Sequence, residues 1–421
     1  LVRIVWRNGT RMELLADDQI ALNNLVDLIR IETVSNTGVH SSSYVRAVAL
    51  LSEQCRHAGL ETSTVEFAPG KPILIATYVG LHPDLPSVLL SGHYDVVPVD
   101  GQSWSYAPFG GIIDKGVIYG RGVQDMKGCL SAYIEAMRRL IGSQFRPMRS
   151  VHLIFVPDEE IGGRDGMQAF VASDEFRALN AGFVIDEGLC SPSAVVPVFF
   201  GERAVWWIKL ISEGVSGHAS AFHDDNSAID KLKRCIDRIQ DFRHFQAVQL
   251  SSGSSVGDLV TINVTALRSG HLTPGAPLNV IPSVAEAGLD IRIPPMLDLS
   301  EFELQYLQRW TDEPGLTYEK IVACDSNPVT TLDPAMNPWW KALSEMCQKR
   351  GISIEPRIFP AATDSRFIRQ LGIPCLGFSP FPITVCKFHD VDEFLSVAAY
   401  LNAIEIYMHL ICSLSCDTHP E

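Results

Sequence analysis

Apolar residues recur at helical spacing from Asp17 to Ile31 and again from Tyr44 to Ala58, so each stretch predicts an amphipathic helix. Then the period changes. "PILIATYVG", "SVLLSGH", "RSVHLIFVP" and "AGFVI" are short apolar runs bounded by Gly, Pro, Ser or charged residues, as buried strands are. "DMKGCLSAYIEAMRRLIGS" returns to helical spacing between the second and third of them. Helix and strand in alternation predict an α/β fold with helices around a mixed, largely parallel sheet.

The order changes after residue 199. "VWWIKLIS" reads as a strand, and "SAIDKLKRCIDRIQDF" as a helix with Ile229, Leu232, Ile236 and Ile239 on one face. "DLVTINVTAL" and "AEAGLDIRI" are strands, "LSEFELQYLQRW" is a helix and "LTYEKIVA" is a last strand. This β-α-β-β-α-β order is that of the ferredoxin-like split βαβ unit. Residues 200–325 therefore read as an inserted second domain that splits a first domain into 12–199 and 326–421. In the returning part, Asn337 and Pro338 suit a helix cap and first turn, with Gly351 as the stop. "ISIEPRIF" and "IPCLGFSP" are strands, and a closing helix is expected from near Glu393.

Composition narrows the partners. With 46% apolar and 20% charged residues over 421 positions, the chain is globular and large enough for two or three domains. A net charge of -15 without any Lys/Arg tract argues against nucleic acid or an anionic membrane as the main partner. Ten cysteines with no C-x-x-C pair read as reduced thiols, and the expected location is cytoplasmic. "LVRIVWRNGTRMELL" lacks the long apolar run of a signal peptide, and residues 1–11 stand as an N-terminal extension of open origin. The apolar C-terminal stretch is interrupted by Asn402, Glu405 and His409, which suits a core helix better than a membrane span.

Candidate chemistry collects where strands end. His93 and Asp95 lie in "SGHYDVVPVD", directly after an apolar strand; Asp125 lies in "GRGVQDMKG", between a Gly-rich turn and a helix start. Glu159 and Glu160 follow "VHLIFVP", Asp186 and Glu187 follow "GFVI", and His389 sits in "KFHDVDE". Any one of these alone reads as a solvated acidic loop. Five together at strand ends converge on one sheet edge, the usual place for a site. Two histidines and three carboxylates form a mixed N/O ligand set suited to Zn²⁺, and also to Co²⁺ or Mn²⁺. Five ligands exceed what one catalytic zinc takes and suit two metals sharing a carboxylate. Asp95 is placed to accept the second ring N–H of His93. Of the neighbours Glu159 and Glu160, one can bind metal while the other takes part in proton transfer.

"SGHYDVVPVD", "GRGVQDMKG", "VPDEEIGG", "IDEG", "SGHAS" and "HDVDE" resemble, in that order, motifs of a dizinc metallopeptidase family. The family includes aminoacylase-1, acetylornithine deacetylase and the carnosine dipeptidases. The resemblance is strongest to the aminoacylase-1 branch; it extends through "NPWW", "PAATDSR" and "LGFSP" and covers nearly everything from Asp17 to the last helix. It implies a zinc-hydrolase catalytic domain with an inserted lid and dimerisation domain, and a homodimer. It also implies two Zn²⁺ per chain, with Co²⁺ as a substitute. One ion would be held by His93, Asp125 and Glu187, the other by Asp125, Glu160 and His389. Glu159 would be the general acid/base, with Asp95 behind the ligands. His218, in "SGHAS", would cross a dimer contact to stabilise the oxyanion, while Asn279, Arg292 and Arg366 would lie on the substrate side. Arg366 would hold the α-carboxylate; for Arg292 a structural salt bridge is an equal reading. The implied activity is hydrolysis of N-acyl-L-amino acids to a carboxylate and a free L-amino acid. The alternatives are a dipeptidase or acyl-ornithine-type deacylase, or, in a different class, an inactive hydrolase-fold binding protein, which the presence of Glu159 disfavours. Ala221 stands where aminoacylase-1 sequences typically carry arginine.

Three further patterns are set aside. "GSSVG" at 253–257 fits G-x-S-x-G but lacks the strand–turn–helix setting of a nucleophile elbow and reads as a loop. His223-Asp224-Asp225 reads as a polar turn, and Cys386 as a buried thiol near His389 rather than a ligand.

Overall fold

A computed structural model describes residues 4–7, 10–13, 15–222, 226–271 and 276–416. The chain forms two compact units: 1–200 with 330–356 and 363–421, and 201–329 with 357–362. The second unit thus takes in 326–329 and 357–362, which the sequence reading assigned to the first domain. The expected turn at His223-Asp224-Asp225 lies outside the described residues.

In the first unit eight strands form one mixed sheet, parallel through its centre. From one edge the order is Ile354–Phe359, Val196–Glu202, Cys375–Gly377, Ala181–Asp186, Ser87–His93, Val151–Val156, Pro72–Tyr78 and Glu61–Glu66. The central strands Ser87–His93 and Val151–Val156 are buried at every position because both faces are covered. Along them alternate residues serve two cores. Val88 and Leu90, Val151, Leu153 and Phe155, and Phe183 and Ile185 pack with helices Ala16–Ile29, Ser43–His57, Lys127–Gly142, Pro338–Lys349 and Val397–Cys416. Leu89, Ile154, Val156 and Val184 turn the other way, toward Met167–Val171, Asp174–Ala178 and Ser365–Gln370. Period-two alternation and burial on both faces explain the unbroken apolar runs.

The second unit has one covered face. Its main sheet has four strands in the order Thr261–Ser269, Val284–Ile293, Ala204–Glu213, Leu316–Ala323, antiparallel throughout. In chain order that is second, third, first, fourth, the ferredoxin-like arrangement. Trp206, Ile208 and Leu210 alternate with more exposed neighbours and pack against helix Ala228–Ser251 and Phe302, Leu307 and Trp310 of the following helical segment.

Other differences from the sequence reading are local. The closing helix starts at Val397, because Phe394–Ser396 is a strand paired with Val117–Tyr119, itself half of a hairpin with Ile112–Asp114. That hairpin, in "GGIIDKGVIYG", is too short to show a period. Helix Ala228–Ser251 runs nine residues beyond the Phe242 expected as its end. At the N-terminus Ile4–Arg7 pairs antiparallel with Thr10–Glu13. The "GSSVG" segment enters a short 3₁₀ turn, Val256–Asp258, with no helix behind the serine.

Candidate metal centre

Parallel pairing delivers the ligand types to one edge. His93 is the last residue of Ser87–His93 and lies in register with Val156 of the neighbouring strand, whose chain continues into Glu159 and Glu160. On the other side Ala181–Asp186 ends one residue before Glu187. Asp125 closes a turn immediately before helix Lys127–Gly142, and His389 occupies a turn ahead of Phe394–Ser396.

The side chains meet around Asp125. His93 Nε2 lies 3.1 Å from Asp125 Oδ1, 3.7 Å from Glu187 Oε2 and 4.0 Å from Glu159 Oε2. His389 Nε2 lies 3.3 Å from Asp125 Oδ2 and 2.9 Å from Glu160 Oε2. Ligand atoms of His93, Glu159 and Glu187 fall within 4.8 Å of one another, and so do those of His93, Asp125 and Glu160. Among the described residues, the ion pairs of these four carboxylates are all with His93 or His389. Four carboxylates and two imidazoles gathered without Lys or Arg fit a divalent cation, or two cations bridged by Asp125.

The electrostatics point the same way. Burial pushes Glu159 up, reinforced by Glu187; burial likewise raises Glu187 and Glu160. For Asp125 burial is opposed and outweighed by His389 and His93, which hold it below the usual carboxylate range. Asp125 and Glu160 push His389 up to about 10. His93 is fully buried, which would lower it, yet contacts with Asp125, Asp95 and Glu187 raise it well above normal. A divalent ion held by these groups would require neutral imidazoles and ionised carboxylates, so its uptake would release protons.

A surrounding layer fixes this geometry. Asp95 is fully buried: one oxygen accepts from the Glu159 backbone N–H at 3.2 Å, the other from Ser35 Oγ at 2.8 Å and the Glu160 N–H at 3.3 Å. Its carboxylate was expected to receive the His93 ring N–H. Nδ1 lies 3.0 Å from the Asp95 backbone carbonyl, nearer than the 3.5 Å to the carboxylate. The carbonyl still directs Nε2 toward Asp125. Glu393, also fully buried, accepts from the backbone N–H groups of Gly122, Gln124 and Asp125 and from Arg121. Asp158, at φ 64, binds Lys71 and the Tyr44 hydroxyl just ahead of Glu159. Asp186 accepts from Ser365 Oγ at 2.6 Å.

Sequence reasoning missed Ser35, Tyr44, Lys71, Asp158, Asp364 and Glu393. Asp158 stands inside "VPDEEIGG", Asp364 inside "PAATDSR" and Glu393 at the end of "HDVDE", four residues after His389; Ser35, Tyr44 and Lys71 lie outside every stretch singled out for chemistry. Asp364 is buried with neither carboxylate oxygen hydrogen-bonded among the described residues, and burial pushes it up to about 8.

The remaining predicted residues divide between the units. Arg366, in the first, donates to the carbonyls of Thr363 (2.7 Å) and Gly162 (2.9 Å), which anchors it beside the Glu159–Glu160 turn. His218, Asn279 and Arg292 belong to the second. Gly217–His218 pairs with Val280–Ile281, bringing Asn279 Nδ2 to 3.4 Å from His218 Nε2. On the other side of the ring Nδ1 lies 2.7 Å from Ser220 Oγ and accepts from the Ser220 backbone N–H at 3.3 Å. Arg292 forks onto Asp290 at 2.7 and 3.0 Å, the salt bridge held as its alternative role. Ala221 is exposed. Cys386 is exposed too, contrary to expectation, because its turn lies at the surface ahead of His389.

The sequence matches Peptidase family M20/M25/M40 over residues 89–413. Aminoacylase-1A of Rattus norvegicus is 42% identical over 377 residues, covering 88% of this chain and 90% of the relative. Aminoacylase-1 of Homo sapiens is 41% identical over 392 residues, 92% and 93% of the two chains, and that of Dictyostelium discoideum 44% over 355 residues, 82% and 86%. Among solved structures, the M20 family metallo-carboxypeptidase of Sulfolobus solfataricus superimposes with a TM-score of 0.67 at 19% identity, covering 94% of this chain and 99% of that one. A tripeptidase of Staphylococcus aureus gives 0.70 at 19% identity, covering 94% and 98%. The family match and the full-length relatives agree with the clustered His and carboxylate donors: the chain is a metal-dependent amidohydrolase and belongs to peptidase family M20/M25/M40.

Proposed function

We propose that the protein hydrolyses N-acyl-L-amino acids to a carboxylate and a free L-amino acid with two zinc ions, for which Co²⁺ can substitute. The observation that carries the reading is Asp125, whose two oxygens face two different histidines, each with its own glutamate. His93, Asp125 and Glu187 would hold one ion, and Asp125, Glu160 and His389 the other. The ions would supply the charge that acidifies water and draws the substrate carbonyl. Glu159 takes the proton of the attacking water and returns it to the departing nitrogen, a task suited to a buried carboxyl raised by its surroundings. Asp95 holds the Glu159–Glu160 backbone while orienting His93. Arg366, anchored beside that backbone, presents a guanidinium fork to the substrate α-carboxylate. Asn279 steadies His218 on the substrate side, while Arg292 serves by fixing Asp290.

We place the protein in the cytoplasm as a homodimer formed through the second unit, with the imidazole of His218 of the partner subunit donating to the developing oxyanion. Support for the first is that the ten cysteines are thiols, and for the second the "SGHAS" motif that carries His218. A panel of N-acyl amino acids against dipeptides, with zinc measured in parallel, tests the activity. Preferential cleavage of acyl amino acids with about two zinc ions per chain is expected. Faster cleavage of dipeptides, or of acyl-ornithine alone, would overturn the substrate assignment.

A further inference from the structure

Of the side chains gathered around Asp125, His389 is held least by its own element. It is 54% exposed and sits in a turn at φ 61, with Asp392 at φ 52 in the same turn. Side chains with a Cβ keep such backbone only where neighbours over-determine it. The neighbours that do so come from a loop far away in sequence. Ser105 donates its backbone N–H and its hydroxyl to the two oxygens of Asp392, at 2.7 and 2.8 Å. Gln102 Nε2 donates to the His389 carbonyl at 3.4 Å. The other end of that amide, Oε1, accepts from Trp104 Nε1 at 3.0 Å and from Arg121 at 3.1 Å. Arg121 is buried, lies 5.0 Å from the Trp104 ring centre, and donates onward to the Asp390 carbonyl and to Glu393. The His389 turn is therefore tied at residues 389, 390, 392 and 393 to a single connected group.

We infer that Gln102, Trp104, Ser105 and Arg121 form a clasp that positions His389, so that uptake of the ion at His389, Glu160 and Asp125 depends on residues touching neither ion nor substrate. The inference rests on the two-ion reading. Gln102 and Ser105 are exposed, and their side chains bond to the His389 turn but not to the segments bearing His93 or Glu187. Their loss acts on one ion and leaves the other.

The test is competition between a chelator and the metal-free, full-length chain for Zn²⁺, repeated with Co²⁺ so that its absorption reports the ligand field. Wild type should take up metal in two steps, one of them lost in His389→Ala. The double variant Gln102→Ala with Ser105→Ala should weaken that same step by about 10–100-fold, the usual effect of removing groups that orient a ligand. The other step and the unfolding temperature of the metal-free protein should not move, and Ser105→Thr should bind as wild type. A double variant with both steps unchanged, or both weakened alike, overturns the clasp. A wild type with no step sensitive to His389→Ala overturns the two-ion reading and the clasp with it.

Discussion

His93 Nε2 stands 3.1 Å from Asp125 Oδ1, and the second oxygen of the same carboxylate faces His389. Asp125 is the group common to both halves of the donor set. Asp125→Ala should therefore weaken both ions, whereas His389→Ala should release one and leave the other. Elemental analysis after dialysis distinguishes them: about two ions in wild type, one in His389→Ala, and fewer than one in Asp125→Ala. Equal losses in the two variants would contradict a shared carboxylate.

Glu159 differs from its neighbour Glu160 in what it faces. Among the described residues its carboxylate approaches no imidazole closer than the 4.0 Å to His93, while Glu160 lies 2.9 Å from His389. Glu159→Gln preserves shape but cannot take a proton. Metal content should persist while kcat falls by ~10²–10⁴. Near wild-type turnover in this variant would remove Glu159 from the chemistry.

His218 offers a test of assembly. Loss of one oxyanion donor lowers kcat by ~10²–10³, so His218→Ala should be slow with both metals bound. Mixed with Glu159→Gln, also inactive alone, it should regain partial activity as subunits exchange. In the mixed dimer one site combines an intact Glu159 with His218 of the partner subunit. Background activity in demonstrated heterodimers would show that the donor is not supplied across the dimer.

His152 gives the first unit an acid sensitivity independent of metal. Burial in the strand Val151–Val156 pushes it down to about 4 from 6.5. The unfolded chain therefore takes up this proton first as pH falls. The stability contribution is intact above about pH 6.5, declines from there toward pH 4, and levels off below, a total of about 3 kcal/mol. Melting curves of wild type and His152→Gln between pH 4 and 7 should show a shallower decline in the variant. Parallel declines would mean that the site admits the charged ring.

Much was legible before any coordinates. Ser87–His93, Val151–Val156 and Ala181–Asp186 announced themselves because strands buried on both faces carry runs of consecutive apolar residues, and chain direction then puts their polar successors at one edge. His93, Glu159, Glu160 and Glu187 follow from that rule, and with Asp125 before a helix and His389 in a turn they make the mixed imidazole and carboxylate set that suits zinc. The tertiary structure decided what depends on contacts between distant segments. Which oxygen of Asp125 faces which histidine, and that His93 Nδ1 uses the carbonyl of Asp95, follow from the packing of separate turns. So do Ser35 behind Asp95 and Glu393 beneath Asp125: a serine or a glutamate alone carries no sign of the backbone N–H or carboxylate it will meet after folding. Local pattern reports how each segment is buried; hydrogen-bond partners are fixed only when all segments occupy the same few ångströms.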